Sequence, residues 1–165
     1  MFRIEPISKR HNTKQFDCGE AELNSFLKQF ALKNDSNGIG RTYVAVRPDE
    51  EVVLGYYTIS SGTVKFSQLP AGLKLPKYPI PTAHIGKLAT DVSVQGQGLG
   101  EALLFDALAT AESASKAIGI KVVELTALHN KAKAFYLRYG FRELADDPLK
   151  LYLNMEVVRD ALVDR

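Results

Sequence analysis

Apolar residues recur along this chain with two different spacings, and the spacing changes from segment to segment. Between residues 17 and 31 they recur every three or four positions, as on one face of an amphipathic helix of about three turns. Asp17 and Glu20 stand three residues apart before this run, which is the spacing of an aspartate version of a capping box. The face that this helix is predicted to bury contains Leu23, Phe26, Leu27, Phe30 and Ala31.

Two runs of β-branched and aromatic residues follow a polar, glycine-rich turn at residues 34–40. The first run covers residues 41–47 and the second covers 52–60, with Pro48, Asp49 and Glu50 between them. Such runs are typical of strands, and the residues between them are typical of turns. The pattern therefore predicts a β-hairpin.

The segment from Leu69 to Pro81 is rich in proline, with prolines at positions 70, 76, 79 and 81. Proline has no amide hydrogen, so it is unfavourable in the interior of a helix or a central strand. We therefore predict an ordered loop or a lid over Leu69–Pro81.

The second half of the chain alternates between strand and helix patterns. A strand is predicted over residues 84–92, followed by a glycine-rich loop and a helix that ends at Gly119, which we expect in the left-handed conformation. The apolar stripe of that helix contains Leu99, Leu103, Ala107, Ala111, Ala114 and Ile118. Beyond it the patterns predict a strand over 120–127, a short helix over 131–139 that Gly140 ends, and a strand over 149–157. This order is typical of one α/β domain that covers residues 1–165.

Composition limits the possible functions. With 165 residues, of which 45% are apolar, the chain is long enough for one compact core. A net charge of +2 is too small to indicate nucleic-acid binding by itself, but the charge is unevenly distributed. Residues 125–142 contain four basic side chains and no carboxylate, whereas residues 143–165 contain six acids and three bases.

Cysteine, histidine and the N-terminal sequence indicate the compartment. Cys18 is the single cysteine, so no internal disulfide is expected, and a buried or inert thiol is a better interpretation of it than a nucleophile. The three histidines, at positions 11, 84 and 129, have no metal-ligand spacing, so no metal is expected. The sequence has no apolar targeting segment and no run long enough to span a bilayer. We therefore expect a soluble cytoplasmic protein with no membrane contact.

The loop Gln95-Gly96-Gln97-Gly98-Leu99-Gly100 is the clearest candidate for chemistry. A strand, a glycine-rich turn and a helix in succession direct unpaired amides and the positive end of a helix dipole toward one point, where a phosphate can bind. A tight connection without a ligand is an equally good interpretation of this loop alone. Glu101 and Ala102 follow it instead of the Lys and Ser/Thr of an ATP-binding P-loop, and its glycine spacing differs from the dinucleotide fingerprint.

The loop resembles the Gln/Arg-x-x-Gly-x-Gly/Ala signature of the GNAT acetyltransferases. The segment Ala132 to Phe141 resembles that family's Ala-x-x-Phe-Tyr-x-x-x-Gly-Phe helix, at the usual distance downstream. The resemblance implies an acyl-CoA N-acyltransferase fold of the α/β (α+β) class, with a mixed, largely antiparallel central sheet flanked by helices. It also implies acetyl-CoA as the co-substrate.

By the same resemblance, site residues are assigned to three groups. The backbone of Leu88, Ala89, Thr90 and Val92 is expected to hold the pantetheine arm, while the side chains of Leu88 and Val92 are expected in the core. The pyrophosphate is expected on Gln95, Gly96, Gln97, Gly98, Leu99 and Gly100. Tyr136 is the expected general acid, since a phenol can protonate the departing CoA thiolate. No general base is identified.

Segments outside these motifs are similar to the acetyltransferase toxins of bacterial toxin–antitoxin pairs. The similar segments are residues 16–20, 23–27, 40–44, 55–57, 80–81 and 85–91. Such toxins acetylate the α-amine of aminoacyl-tRNA, are usually dimers, and are restrained by a ribbon-helix-helix antitoxin. The resemblance therefore implies aminoacyl-tRNA, an antitoxin and a second copy of the chain as partners.

A tRNA substrate would need a basic surface. The candidates for it are Arg41, Lys87, Lys131, Lys133 and Arg138, each of which is otherwise an ordinary solvated side chain. Three alternatives stay open. They are a GNAT enzyme that acetylates a small amine or a protein N-terminus, a non-catalytic CoA-binding module, and a glycine-loop nucleotide-binding protein.

Overall fold

The computed structural model describes residues 1–70 and 77–165. The strands are β1 (Arg3–Pro6), β2 (Arg41–Val46), β3 (Gly55–Val64), β4 (Ile80–Thr90), β5 (Val122–Thr126), β6 (Arg142–Leu144) and β7 (Asp147–Asn154). The α-helices are α1 (Ala21–Gln29), α2 (Ala31–Ser36), α3 (Leu99–Ser115), α4 (Asn130–Leu137) and α5 (Met155–Val163). Single 3₁₀ turns lie at Phe66–Gln68 and Val92–Val94. None of the helices described in these two ranges is both long and apolar enough to cross a membrane.

The strands follow the order β1-β2-β3-β4-β5-β7-β6 in one sheet. The neighbours β1 and β2, β2 and β3, β5 and β7, and β6 and β7 pair antiparallel. The predicted fold class, a largely antiparallel sheet combined with helices, is therefore confirmed.

The chain forms two compact units, the first of which contains Met1–Ser60 and Ile85–Ala107. In this unit the Tyr56 hydroxyl donates a hydrogen bond of 2.7 Å to the Leu23 carbonyl, which ties α1 to β3. The rings of Tyr43 and Tyr57, which are paired across β2 and β3, stack with centroids 5.0 Å apart. The core of this unit contains Ile7, Phe16, Leu27, Ala31, Val44, Val46, Val53, Tyr56 and Ala89.

The predicted first helix differs from the structure in two ways. It is divided at Phe30, whose backbone leaves the helical region at φ −124° and whose side chain is 49% exposed instead of buried. The predicted capping box is also wrong, because Glu20 is the N-cap and its side chain makes no capping bond. Asp17 instead accepts hydrogen bonds from the Gly19 amide and the Asn24 side chain, since Gly19, at φ +89°, turns the chain before the helix begins.

The second unit contains Ser61–His84 and Leu108–Arg165. Its sheet pairs Val123 with Leu153 and Leu125 with Leu151, all of which are buried. A buried cluster in this unit contains Val64, Leu69, Ile80, Val122, Leu144 and Tyr152.

The predicted last strand is too long. It ends at Asn154, and Met155 begins α5. Met155 and Val158 are both buried, three residues apart as on a helix face, although alternation continues through Val157 in the sequence. The short strands β1 and β6 were not predicted, because three or four residues carry too little periodicity to identify a strand.

Two further predictions concern proline and glycine. The strand β4 begins at Ile80, so the predicted loop over Leu69–Pro81 is wrong at its end, and its residues 71–76 lie outside the described part of the chain. Gly119 does not adopt the predicted left-handed conformation, since α3 already ends at Ser115. Gly140 does adopt it, at φ +92°, just after α4, so the predicted helix stop there is confirmed.

Candidate functional site

The glycine-rich loop lies where β4 gives way to α3. Gly96 and Gly98 have φ angles of +81° and +82°, which are left-handed values that residues with a side chain rarely adopt. A methyl group added at either glycine would meet no atom of residues 1–70 or 77–165, apart from its chain neighbours, within 4 Å. Glycine is therefore required here by the backbone conformation, and the space in front of both residues is open.

The amides at the start of α3 are directed into this loop. The Ala102 amide donates to the Gly98 carbonyl at 3.1 Å, so Gly98 caps the helix. The preceding amides of Leu99 and Gly100 have no helix carbonyl beneath them, as in every first helical turn. Together with the positive end of the α3 dipole, they form a favourable site for a phosphate group.

The side chains of the loop divide into anchors and exposed groups. Residues 95–98 are exposed, whereas Leu99 is 1% exposed and lies in the core. The Gln95 side chain donates to the Thr90 carbonyl at 3.3 Å and so bridges the two ends of the turn. The predicted pyrophosphate segment therefore offers backbone to a ligand, while Leu99 fixes it to the protein.

The end of β4 agrees only in part with the sequence analysis. Leu88 is half-buried and Ala89 is buried, but the side chain of Val92 is 53% exposed, so its predicted core position is wrong. The reason is the 3₁₀ turn at Val92–Val94, because β4 ends at Thr90, two residues before the predicted end of the strand. The Val92 amide donates to the Asp17 carbonyl at 2.8 Å and is already bonded within the protein.

Asp91, which was not among the predicted site residues, lies between the strand and the loop. Its carboxylate accepts the amide of Asp17 at 2.9 Å, the amide of Ser93 at 2.9 Å and the hydroxyl of Ser93 at 2.7 Å. Burial alone would raise the pKa of Asp91, but these hydrogen bonds outweigh it and the pKa lies below its ordinary value. Asp91 is therefore a carboxylate at neutral pH. The sequence does contain a signal for this turn. An aspartate that directly follows a strand often caps a turn through its own side chain, and here Asp91 precedes Val92 and Ser93.

Tyr136 lies in α4, in the second unit. It is 8% exposed, and its ring contacts Phe135 and Phe141 with centroids 5.1 and 5.6 Å away. Burial raises the pKa of the Tyr136 phenol, so the hydroxyl keeps its proton at neutral pH and can donate it. The helix is capped by His129, whose Nδ1 accepts the Ala132 amide at 3.1 Å.

The five predicted basic residues differ in their surroundings. In the first unit, Arg41 is bonded to the Asp35 carboxylate at 3.2 Å, and the Lys87 ammonium lies 4.1 Å from the Phe26 ring centroid. The other three lie on α4 or directly after it. Lys131 and Arg138 are exposed, whereas Lys133 is ion-paired with Glu143. Lys133 therefore presents less free charge than its neighbours.

Comparisons with known proteins agree with this arrangement. Residues 38–143 match the family model described as Acetyltransferase (GNAT) domain. A relative from Mycobacterium tuberculosis (strain ATCC 25618 / H37Rv), named tRNA-acetylating toxin, is 34% identical over 160 residues, which cover 96% of this chain and 95% of the relative.

Two solved structures are similar over almost their whole length. One is AtaT complexed with acetyl-methionyl-tRNAfMet, which is 33% identical with a TM-score of 0.91 and covers 98% of this chain and 99% of its own. The other is a tyrosine-to-phenylalanine mutant of the AtaT toxin bound to the C-terminus of the antitoxin AtaR and acetyl-CoA. It is 32% identical with a TM-score of 0.83, and the similarity covers 97% of both chains.

Proposed function

Because this chain belongs to the GNAT acetyltransferase family, we propose that it transfers an acetyl group from acetyl-CoA to the α-amine of aminoacyl-tRNA and so blocks translation. The predicted resemblance to this family and to its toxins is confirmed. The predicted activity of an acetyl-CoA-dependent N-acetyltransferase is confirmed as well. The observation that carries the proposal is the open turn at Gly96 and Gly98, because it offers main-chain amides to a pyrophosphate in a protein whose relative is named for acetylating tRNA.

The residues of the loop fit acetyl-CoA. Residues 95–100 would hold the pyrophosphate, mainly through amides other than that of Gln97, which is bonded to the Val94 carbonyl. The backbone of residues 88–90 would hold the pantetheine arm. Bound acetyl-CoA supplies the thioester whose acetyl group is transferred. The exposure of residues 95–98 and the left-handed angles of Gly96 and Gly98 support this assignment. Since its amide is bonded to Asp17, Val92 would contribute to the site through its other atoms.

Tyr136 is the proposed general acid. Its hydroxyl would donate a proton to the departing CoA sulfur, which an ionised phenol could not do. A phenol is protonated over the whole neutral range, and burial, which raises the pKa of Tyr136, leaves it protonated there. An α-amine has an ordinary pKa of about 7.7–8.0, so an appreciable fraction is already unprotonated and the reaction has little need of a general base.

The substrate surface and the partners follow from the same proposal. Five basic residues would contribute to tRNA binding, namely Arg41, Lys87, Lys131, Lys133 and Arg138. Lys131 and Arg138 are the most available of them because they are exposed. The AtaT complex with the C-terminus of its antitoxin supports an antitoxin as a partner of this chain, and the resemblance implies that it is of the ribbon-helix-helix type. We further propose that residues 1–165 act as one acetyltransferase domain in a cytoplasmic homodimer. The match to the family model extends over parts of both units, which supports a single catalytic domain.

Acetylation of a small amine or of a protein N-terminus is the second candidate. The amide cradle and Tyr136 serve either acceptor equally, because both act on the acetyl-CoA side of the reaction. What favours tRNA is similarity over almost the whole chain to a protein named for tRNA acetylation and to one whose structure was solved in complex with acetyl-methionyl-tRNA.

The experiment that tests the proposal offers the competing acceptors side by side. The protein is incubated with acetyl-CoA and, in separate reactions, with charged total tRNA, free amino acids or a peptide with a free N-terminus. Mass spectrometry of each acceptor then locates the acetyl group. We expect acetylated aminoacyl ends in the tRNA reaction. Acetylation confined to the amino acids or the peptide would replace this proposal by the second candidate.

A further inference from the structure

Two segments that are far apart in the sequence exchange hydrogen bonds at the entrance to the glycine-rich loop. The Asp17 amide donates to the Asp91 carboxylate at 2.9 Å, and the Asp17 carbonyl accepts the Val92 amide at 2.8 Å. Both segments belong to the first unit. The backbone of Asp17 is thus held by a side chain and a main-chain group of the residues that lead into the loop.

The other side of this contact is also fixed. The Asp17 carboxylate accepts the Gly19 amide at 2.9 Å and the Asn24 side-chain amide at 3.0 Å. The Asn24 side-chain oxygen in turn accepts the Cys18 amide at 2.8 Å. Residues 17–19 are therefore bonded to α1 through Asn24, so Asp91 is connected to an ordered helix and not to a free chain end.

On the loop side of the contact, a short series of hydrogen bonds links Asp91 to the glycines. The amide and the hydroxyl of Ser93 both donate to Asp91, and the Val94 amide donates to the Asp91 carbonyl at 3.1 Å. The Gln97 amide then donates to the Val94 carbonyl at 3.3 Å. A continuous series of hydrogen bonds thus runs from Asp91 to the residue between Gly96 and Gly98.

The Asp91 carboxylate is buried, so its hydrogen bonds must offset the cost of removing it from water. Asp91 is 8% exposed, and a buried carboxylate is costly unless it is hydrogen-bonded. Each carboxylate oxygen has a partner, and the two sets of partners lie on opposite sides of the contact. One oxygen accepts from Asp17, and the other accepts twice from Ser93. The side chain therefore caps the 3₁₀ turn at Val92–Val94 through one oxygen and joins that turn to Asp17 through the other.

We propose that Asp91 is the positioning residue of the acetyl-CoA site, which sets the conformation of the glycine-rich loop by fixing it to residues 17–19. Flexible glycines lose more conformational freedom on ordering than other residues, so a loop that is already fixed loses less when it binds a ligand. In this role Asp91 acts through the loop and not by contact with the ligand. The inference rests on the proposed function, because that function identifies what the loop binds.

The test is the variant Asp91→Asn, studied in the full-length chain. The substitution keeps one side-chain oxygen, which can still accept from Ser93, and replaces the other by an NH₂ group that cannot accept the Asp17 amide. We expect CoA binding, measured by titration calorimetry, to weaken about tenfold, which corresponds to roughly 1.4 kcal/mol. The KM for acetyl-CoA should rise by a similar factor, while kcat at saturating acetyl-CoA stays within about twofold, since the reacting groups are untouched.

Asp35→Asn is the matched control. The Asp35 carboxylate also accepts a backbone amide in the first unit, that of Thr42 at 3.0 Å, but it lies outside the loop and its contacts. The variant Asp35→Asn should lower the melting temperature of the protein without changing its CoA affinity. Equal losses of CoA affinity in both variants would overturn the positioning role, because they would indicate a general loss of stability.

The remaining outcomes separate this inference from the proposed function. If the unaltered protein does not bind CoA, the proposed function is wrong and the inference falls with it. If the unaltered protein binds CoA and Asp91→Asn binds it equally well, only the inference is overturned. Should Asp91→Asn fail to fold, Ser93→Ala replaces it, because it removes one hydrogen bond to Asp91 and leaves the Asp17 contact. About threefold weaker CoA binding by Ser93→Ala would support the inference, and unchanged binding would overturn it.

Discussion

Gly55 on β3 lies so close to Leu103 on α3 that a methyl group added at Gly55 would be 2.9 Å from the Leu103 Cδ1 atom. The same methyl group would lie 3.0 Å from Leu99 Cδ2 and 3.2 Å from the Ala89 carbonyl oxygen. Leu99 begins α3 and Ala89 lies near the end of β4, so this contact brings together the helix and the strand on either side of the glycine-rich loop. The absence of a side chain at Gly55 therefore supports the geometry of the candidate site.

Substitution of Gly55 by alanine should destabilise the protein. The added methyl group overlaps two buried leucines and a backbone oxygen, and overpacking of this kind typically costs about 1–3 kcal/mol. The free energy of unfolding, measured by urea denaturation, should fall by that amount. Gly40→Ala is the control, because its methyl group would lie at ordinary contact distances of 3.6 and 3.8 Å from its neighbours. A loss of stability in Gly40→Ala as large as in Gly55→Ala would contradict this account of packing.

Gly98→Ala tests the requirement for a left-handed backbone in the loop. An added methyl group has open space around it, so the whole effect comes from the φ angle of +82°. Left-handed backbone costs a residue with a side chain roughly 1–2 kcal/mol, and we expect CoA affinity to fall about tenfold as the loop relaxes. Gly119→Ala is the matched control. The methyl group added at Gly119 also meets no described atom within 4 Å, but the φ angle of Gly119 is not left-handed. Unchanged CoA affinity in Gly98→Ala, measured by calorimetry, would argue against the loop as the binding site.

The variant Tyr136→Phe tests the proposed general acid. It removes the hydroxyl and keeps the buried ring, so we expect CoA binding to be retained while turnover falls by about a hundredfold or more. Tyr43→Phe removes a hydroxyl from another tyrosine whose ring is stacked, and it should leave turnover nearly unchanged. Initial rates at saturating acetyl-CoA make the comparison. Turnover in Tyr136→Phe equal to that in Tyr43→Phe would remove the acid role from Tyr136.

A comparison of Lys131 and Lys133 tests the proposed basic surface. Lys131 is exposed, whereas Lys133 is ion-paired with Glu143 and is only 15% exposed. Lys131→Ala should weaken tRNA binding and lower the slope of log affinity against log salt concentration by about one, as for one lost phosphate contact. Lys133→Ala should change that slope by less than half as much. Filter binding over a series of salt concentrations measures both slopes. A larger change in slope for Lys133→Ala than for Lys131→Ala would contradict the assignment of the tRNA contact to Lys131.

The sequence predicted best those features that depend on local pattern. The strand, loop and helix around residues 84–115 combine alternation, glycine and helical spacing within one short segment, and the structure contains all three elements. The motif around Tyr136 likewise lies on a predicted short helix, which the structure contains as α4. In these regions neighbouring residues in the chain are sufficient to define the structure.

Features that depend on distant residues were missed. Asp17 and Asp91 are 74 positions apart, so neither periodicity nor spacing could indicate their hydrogen bond. Phe30 fits the apolar face of one continuous helix, and its exposure follows from a backbone break that the sequence pattern does not contain. The apolar positions around Met155 are compatible with strand alternation and with a helix face, and tertiary packing decides between them.

The most direct test of the central claim is the chemical site of acetylation. The protein is incubated with acetyl-CoA that carries a labelled acetyl group and with two tRNA pools, one charged and one deacylated but otherwise identical. If the α-amine of aminoacyl-tRNA is the acceptor, label enters only the charged pool and is released as N-acetylated amino acid when the ester bond is hydrolysed. Label in both pools, or no label in either while CoA still binds, would contradict the proposed reaction.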